Sequence, residues 1–236
     1  MSDQPMVSIA DAISAIPSPF PPISLIKHYK GTTLNQPGRI VDISPVSATI
    51  QASQRVTFHV LLGLIHLRTS AFPGAISATI RPIDYGEGTF YLSDLSYAGW
   101  RDRRTDRVQP KCPIYIDIRY YRKVYRACME DISYEGMGIL VNRDIDPGNR
   151  LRPGVKLSLE FRLASEHLIT NLRGMIVYRK NEGQYLIKYG LQILPKTEQK
   201  KFIQSYIFQR SDEIRKELEQ DYIRICDPCR VEDQYF

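Results

Sequence analysis

Short runs of alternating apolar and polar residues, separated by turn residues, make up most of the chain. The clearest run is VKLSLEFRL, whose every second residue is apolar, as in a strand with one face buried. Many short strands at this spacing predict an all-β barrel or sandwich. The apolar face of the clearest run consists of Val155, Leu157, Leu159, Phe161 and Leu163.

The strand-like runs form two groups of similar size, at residues 23–99 and 108–195. GRIVDISPVSATI in the first group echoes ACMEDISYEGMGI in the second. A chain of 236 residues accommodates two domains of about 100 residues each. We therefore predict a mainly β protein of two small antiparallel β-barrels, related by duplication.

The pattern changes at both ends of the chain. The first 22 residues are rich in Pro, Ser and Ala and predict a flexible arm. Residues 196–236 predict an amphipathic helix and tail, because apolar residues recur there every three or four positions. We expect its apolar stripe to pack on a barrel, and residues 100–107 to form an interdomain loop. The stripe consists of Phe202, Ile203, Tyr206, Ile207, Ile214 and Leu218.

Membrane, secretory and metal-binding classes have little support in the sequence. No apolar stretch approaches the roughly 18 residues of a membrane helix, and the N-terminus lacks the pattern of a signal peptide. Cys226 and Cys229 form a CxxC without a second cysteine pair, whereas structural zinc takes four ligands. We expect a cytoplasmic protein without a metal or cofactor, and an incidental cysteine pair.

The positive charge of the chain is concentrated in one segment. Residues 1–100 carry six basic and six acidic residues, whereas residues 101–130 carry nine basic and four acidic ones. A local basic cluster beside a neutral domain favours a specific anion site over a general polyanion surface.

Two short motifs could build such a site. Arg103 and Arg107 form an RxxxR, and Asp131, Ser133 and Gly136 belong to a DxSxxG that leads into a strand. An arginine fork matches the adjacent O6 and N7 acceptors of guanine, and it also grips phosphate. A carboxylate can accept hydrogen bonds from guanine N1–H and N2–H₂, a serine can orient the turn, and glycine permits close approach. The residues left open as simpler explanations are a solvated basic linker and an ordinary Asp-capped β-turn.

In order, separation and context, these motifs resemble the PilZ domain, the bacterial receptor for cyclic di-GMP. The resemblance covers roughly residues 100–195, and FIQSYIFQRSDEIRKE resembles the segment that follows PilZ in flagellar-brake-type proteins. It implies that cyclic di-GMP binds as a ligand, with no catalysis. The implied ligand-binding residues are Arg103, Arg107, Asp131, Ser133 and Gly136, and possible additional contacts are Arg101, Arg104 and Gly138.

The resemblance makes the first barrel a degenerate copy of the second. Its Asp42-Ile43-Ser44-Pro45-Val46-Ser47 mimics the DxSxxG but lacks the glycine, and no arginine pair precedes it. We therefore expect the first barrel not to bind the nucleotide. Ligand binding at the second barrel is expected to change interdomain orientation and to regulate motility or biofilm functions through a protein partner.

The main alternative from another class is a β-barrel that binds single-stranded nucleic acid. Such proteins combine aromatic and basic side chains on their strands. The tyrosines that would serve are Tyr115, Tyr120, Tyr121, Tyr125 and Tyr134, interleaved with Arg119, Arg122, Lys123 and Arg126. Enzymatic readings are weaker, because the sequence has no Walker loop, GxSxG or clustered His/Cys site. A PilZ-like interaction module that no longer binds a nucleotide is a third alternative.

Overall fold

The computed structural model describes residues 19–52, 63–70, 74–81, 89–97, 106–145, 150–163 and 167–226. Most of the predicted N-terminal arm lies outside these residues. So do Arg101, Arg103 and Arg104 of the predicted arginine loop, and Cys229 of the CxxC.

The first barrel is closed by six antiparallel strands within the described residues. Its strand order is β1-β2-β3-β6-β5-β4, and β4 pairs with β1 to close the barrel. The first strand begins at Pro22, the last residue of the predicted arm. The strands are β1 Pro22–Tyr29, β2 Thr32–Ile43, β3 Ser47–Ala52, β4 Gly63–Arg68, β5 Ile76–Ile80 and β6 Thr89–Tyr97.

The second barrel repeats this arrangement. Its order is β7-β8-β9-β12-β11-β10, closed by pairing of β10 with β7, so each strand has the neighbours of its counterpart in the first barrel. The predicted class of two small β-barrels is confirmed. The strands are β7 Tyr115–Tyr120, β8 Lys123–Ile132, β9 Gly136–Asn142, β10 Lys156–Leu163, β11 His167–Glu182 and β12 Leu186–Leu194.

Alternation along the strands decides which side chains fill the barrels. In β10, Leu157, Leu159, Phe161 and Leu163 are buried, as the sequence pattern predicts. The intervening residues face the other way because successive side chains of a strand point to opposite faces. In the first barrel the corresponding core includes Leu25, Ile50, Ile65, Leu67, Ile76, Phe90 and Leu92.

The predicted C-terminal helix is α1, Thr197–Cys226. Its N-terminus is capped by Gln199, whose Oε1 accepts the Lys196 N–H at 2.9 Å, the reciprocal half of a capping box. The same amide donates from Nε2 to Thr170 O at 2.7 Å, which ties the first turn to β11. Among the described residues, no helix is long and apolar enough to cross a membrane.

The stripe of α1 is buried only in part as expected. Ile203, Ile207, Ile214 and Leu218 are buried, but Phe202 is 42% exposed and its ring meets the His167 ring at 4.3 Å. The chain divides into two compact units. The second takes residues 30–32 and the described residues from 106 to 214, and the first takes the other described residues, including α1 from Arg215 onward. Leu218 accordingly belongs to the core of the first barrel.

Candidate functional site

Arg107 is held against the wall of the second barrel by the residue that follows it. Val108 forms an isolated bridge with Ile132, in which each N–H donates to the other's carbonyl at 2.9 and 3.0 Å. Val108 and Ile132 are both fully buried. The bridge therefore fixes the chain directly beside Asp131, and Arg107 Nη1 donates to Asp131 Oδ1 at 3.2 Å.

Asp131 is the hub of this arrangement. Its Oδ1 accepts a second hydrogen bond from the Gly138 N–H at 3.1 Å, across a register shift between β8 and β9. The ion pair with Arg107 is partly buried, with 31% of the arginine side chain and 15% of the aspartate side chain exposed. Charge-assisted bonds of this kind are stronger than neutral ones. The Oδ2 atom has no hydrogen-bond partner among the described residues, so it is available to accept from a ligand.

The turn between β8 and β9 is closed by Ser133. Its backbone N–H and its hydroxyl both donate to Gly136 O, at 2.8 and 3.1 Å, and its side chain is buried. The first barrel has the same turn, since Ser44 N–H and Oγ donate to Ser47 O at 2.8 and 3.2 Å. Ser133 therefore acts on the shape of the turn, and its hydroxyl already has an acceptor.

The outer face of β9 and β12 forms a floor with little side-chain cover. Met137, Ile139 and Val141 point into the core, so Gly136 and Gly138 face outward. Across the strand pair, Gly138 lies opposite Gly190 of β12. A Cβ at Gly138 would lie 3.1–3.2 Å from the carboxylate of Asp131. Glycine therefore allows this carboxylate to lie flat on the barrel wall.

A ring and an ion pair border the same face. Tyr178 of β11 pairs with Gly190, and its ring occupies the space that a Cβ at Gly190 would take. Lys188 Nζ donates to Glu130 Oε1 at 2.7 Å. Burial lowers the pKa of Lys188, but the hydrogen bond and charge of Glu130 raise it more, so its pKa ends above the ordinary value. Lys188 therefore carries its charge at neutral pH.

Sequence reasoning did not find Tyr178, Gly190, Lys188 or Glu130. Their proximity depends on the pairing of β11, β12, β9 and β8, which are far apart in sequence. A glycine inside a strand is a signal of close approach, and Gly190 in LIKYGLQIL carries that signal.

The structure brings together four of the predicted ligand-binding residues and one possible contact. Arg107, Asp131, Ser133, Gly136 and Gly138 all lie at this face. Arg103 and the possible contacts Arg101 and Arg104 lie outside the described residues.

The alternative motif at Arg122 and Arg126 lies elsewhere on the second barrel. Both arginines are exposed, as expected, and the Arg126 guanidinium lies 5.0 Å from the centre of the Tyr115 ring. Arg126 and Tyr115 line a cleft of about 740 Å³ whose other charged residues include Arg210 and Glu213, 3.1 Å apart. In this cleft, both arginines already have partners on the protein.

A substitution at Gly138 tests whether the flat carboxylate matters. Gly138→Ala places a methyl group against Asp131, and we expect ligand affinity at this face to fall about tenfold because the carboxylate must turn from Arg107 and the ligand. Isothermal titration calorimetry with cyclic di-GMP measures the change. Gly74→Ala is the matched control, because a Cβ there meets no atom within 4 Å. Equal affinities of the two variants would contradict a role for the Gly138 position.

Residues 101–209 match the family model described as the PilZ domain. The match includes both motifs, all of β7–β12 and the first part of α1. No curated protein sequence matches the chain.

Solved structures with a similar fold cover most of the chain at low identity. YcgR from Escherichia coli, in complex with c-di-GMP, is 16% identical with a TM-score of 0.45, covering 89% of each chain. MrkH from K. pneumonia, also in complex with c-di-GMP, is 15% identical with a TM-score of 0.47, covering 84% of this chain and 90% of that one. MotI/DgrA, an inhibitor of motility from Bacillus subtilis, is 13% identical with a TM-score of 0.43, covering 82% and 96%.

Proposed function

Because residues 101–209 of this chain are a PilZ domain, we propose that the protein is a cyclic di-GMP-binding effector. The observation that carries the proposal is the Arg107–Asp131 pair over the Gly136 and Gly138 floor. These residues supply a cation, a carboxylate with an available oxygen and a flat surface. A cyclic dinucleotide of guanine carries the matching groups, namely two phosphates, base-edge donors and planar rings.

Each residue has a definite part in the proposed complex. Arg107 binds guanine O6 and N7 or a phosphate oxygen. Asp131 accepts from guanine N1–H and N2–H₂ through Oδ2, while Oδ1 keeps the Gly138 N–H. Ser133 holds the turn, Gly136 admits the ligand close to the backbone, and Arg103 closes over the ligand from the interdomain segment. Arg101 and Arg104 are proposed as additional contacts.

Titration calorimetry of the full chain with cyclic di-GMP, GTP and an unlabelled oligonucleotide tests this function. We expect cyclic di-GMP to bind tightly and GTP weakly, because one guanine and a linear triphosphate satisfy only part of the site. Arg103→Ala should weaken the binding of cyclic di-GMP. A chain that binds none of the three ligands at the glycine floor would be the interaction module without a nucleotide, and the proposed function would be wrong.

We further propose that the ligand changes the relative orientation of the two barrels. Arg103 and Arg107 belong to the segment that connects the barrels in sequence, whereas Asp131 and Gly136 belong to the barrel wall. A ligand held by both sets favours whichever orientation lets them meet, and it shifts the population by its difference in affinity. We propose that this change acts on a protein partner in motility or biofilm formation in the cytoplasm, without catalysis.

Small-angle scattering measures the orientation change. Profiles of the wild-type chain with and without saturating cyclic di-GMP should differ, and those of Arg107→Ala at the same ligand concentration should differ less. Superimposable wild-type profiles under conditions where calorimetry detects binding would contradict the orientation change and leave the binding function intact.

A further inference from the structure

The hairpin between β7 and β8 borders a second cleft, of about 620 Å³, on the second barrel. All its described lining residues are tyrosine or basic: Tyr120, Tyr121, Tyr125, Arg122, Lys123, Arg150 and Arg152. We propose that this cleft, here called the tyrosine cleft, binds a short segment of single-stranded nucleic acid. The site is separate from the cyclic di-GMP face and does not depend on the function proposed above.

The tyrosine cleft lies at the opposite end of β8 from the Asp131 site. The β7–β8 turn precedes Lys123, the first residue of β8, and Asp131 is the ninth. At about 3.3 Å per residue, eight steps along a strand span roughly 26 Å. A ligand in the tyrosine cleft therefore does not contact the glycine floor.

The two arginines of the far wall are positioned by a buried residue between them. Leu151 is fully buried, so Arg150 and Arg152 on either side of it stay at the surface. They precede β10, which pairs with β7 so that Ser158 lies opposite Arg119. This register brings the segment before β10 to the same end of the barrel as the β7–β8 turn.

Tyr121 has features of a residue kept for contact with a ligand. It is 89% exposed, and it is the first residue of a two-residue turn, with a φ of 53°. A non-glycine residue in this left-handed region costs on the order of 1 kcal/mol, and such outliers are concentrated at functional sites. Its ring stands edge-on to Tyr120 at 4.6 Å, which leaves a ring face accessible.

The composition of the cleft matches the two repeating parts of a nucleic-acid strand. Bases stack on aromatic rings with little dependence on sequence, and phosphates bind Arg and Lys. Duplexes keep their bases stacked on one another, so exposed tyrosine faces favour single strands. The structure also reduces the set of aromatic residues expected from sequence, because Tyr115 lies in the other cleft and Tyr134 in the β8–β9 turn.

Fluorescence anisotropy with a labelled oligothymidylate of about ten nucleotides, a length within the range that small barrels bind, tests the proposal on the full chain. Tyr121→Gly should weaken binding about tenfold or more by removing a stacking ring. Its melting temperature should not fall, because glycine adopts a positive φ without strain. Tyr185→Gly is the control, since Tyr185 is a 68% exposed tyrosine in the β11–β12 turn, outside the cleft. Equal losses in both variants would overturn the proposal.

A charge-matched pair of double variants tests the phosphate contacts. Arg150→Gln/Arg152→Gln should weaken oligonucleotide binding about tenfold or more, and it should reduce the dependence of affinity on salt by about one unit of log–log slope. Lys200→Gln/Lys201→Gln removes the same charge from the exposed side of α1 and should change neither. Equal changes in both pairs would indicate attraction by net charge alone and would overturn a specific cleft.

Competition separates the tyrosine cleft from other sites. Excess ATP and duplex DNA should displace the labelled strand poorly, and cyclic di-GMP should not displace it. Displacement by ATP at a similar affinity would make the site a mononucleotide site, and displacement by cyclic di-GMP would place the strand on the glycine floor. Either result overturns the proposal, as does the absence of oligonucleotide binding at low salt.

Discussion

Replacing Arg107 with alanine is expected to weaken cyclic di-GMP binding about tenfold to hundredfold, the effect of losing one or more charge-assisted hydrogen bonds. The arginine is already oriented on the barrel wall by Asp131 and by the Val108–Ile132 bridge. A ligand therefore meets a guanidinium whose side-chain entropy is largely lost before binding. Calorimetry of wild type and variant at one salt concentration gives the ratio of affinities.

Two further variants show whether the geometry of Arg107 or only its charge is used. Arg107→Lys keeps the charge but cannot bind in a bidentate way, so its affinity should fall between those of wild type and Arg107→Ala. Arg119→Ala removes an arginine from the same barrel whose partner is Glu160, and it should bind like wild type. An Arg107→Ala variant with wild-type affinity would remove this residue from the proposed site.

Asp131→Asn is expected to weaken cyclic di-GMP binding by a similar or larger factor, about a hundredfold, because two interactions change at once. The amide loses the charge that holds Arg107, and its NH₂ group can face the N–H donors of guanine. The preference for guanine should fall as well, because adenine does not present the donors that the carboxylate accepts. Calorimetry with cyclic di-GMP and cyclic di-AMP measures both the affinity and the preference.

The control for this substitution is Asp144→Asn. Asp144 is exposed in the 3-10 turn after β9, and its backbone N–H donates to Asn142. The same chemical change there should leave both ligands unaffected. A guanine preference that survives in Asp131→Asn would contradict the assignment of Asp131 as the base-reading residue.

The strands could be predicted from sequence because their signal is local. In VKLSLEFRL every second residue is apolar, and those residues fill the barrel. The helix was also predicted with its start, since Gln199 follows the pattern of a capping box. Phe202 was placed on the buried stripe because spacing alone does not show where a helix lies relative to His167.

The site could be predicted only where its residues are close in sequence. Asp131, Ser133 and Gly136 lie within one turn, so their chemistry can be read as a motif. The neighbouring ring of Tyr178 comes from β11, and a register shift in its pairing with β12 sets its position over Gly190. Register and shifts of this kind arise from the closed barrel as a whole, and no short segment of sequence carries them.

The serine turn has a consequence for how the DxSxxG motif should be used. Ser44 and Ser133 make the same two hydrogen bonds, although Ser47 replaces the glycine in the first barrel and no arginine pair precedes that turn. The serine is thus a requirement of the hairpin, whereas the glycines and the arginines are requirements of the ligand. A search that weights all motif positions equally would count folded but silent barrels as receptors, and one that weights the glycines and arginines would separate them.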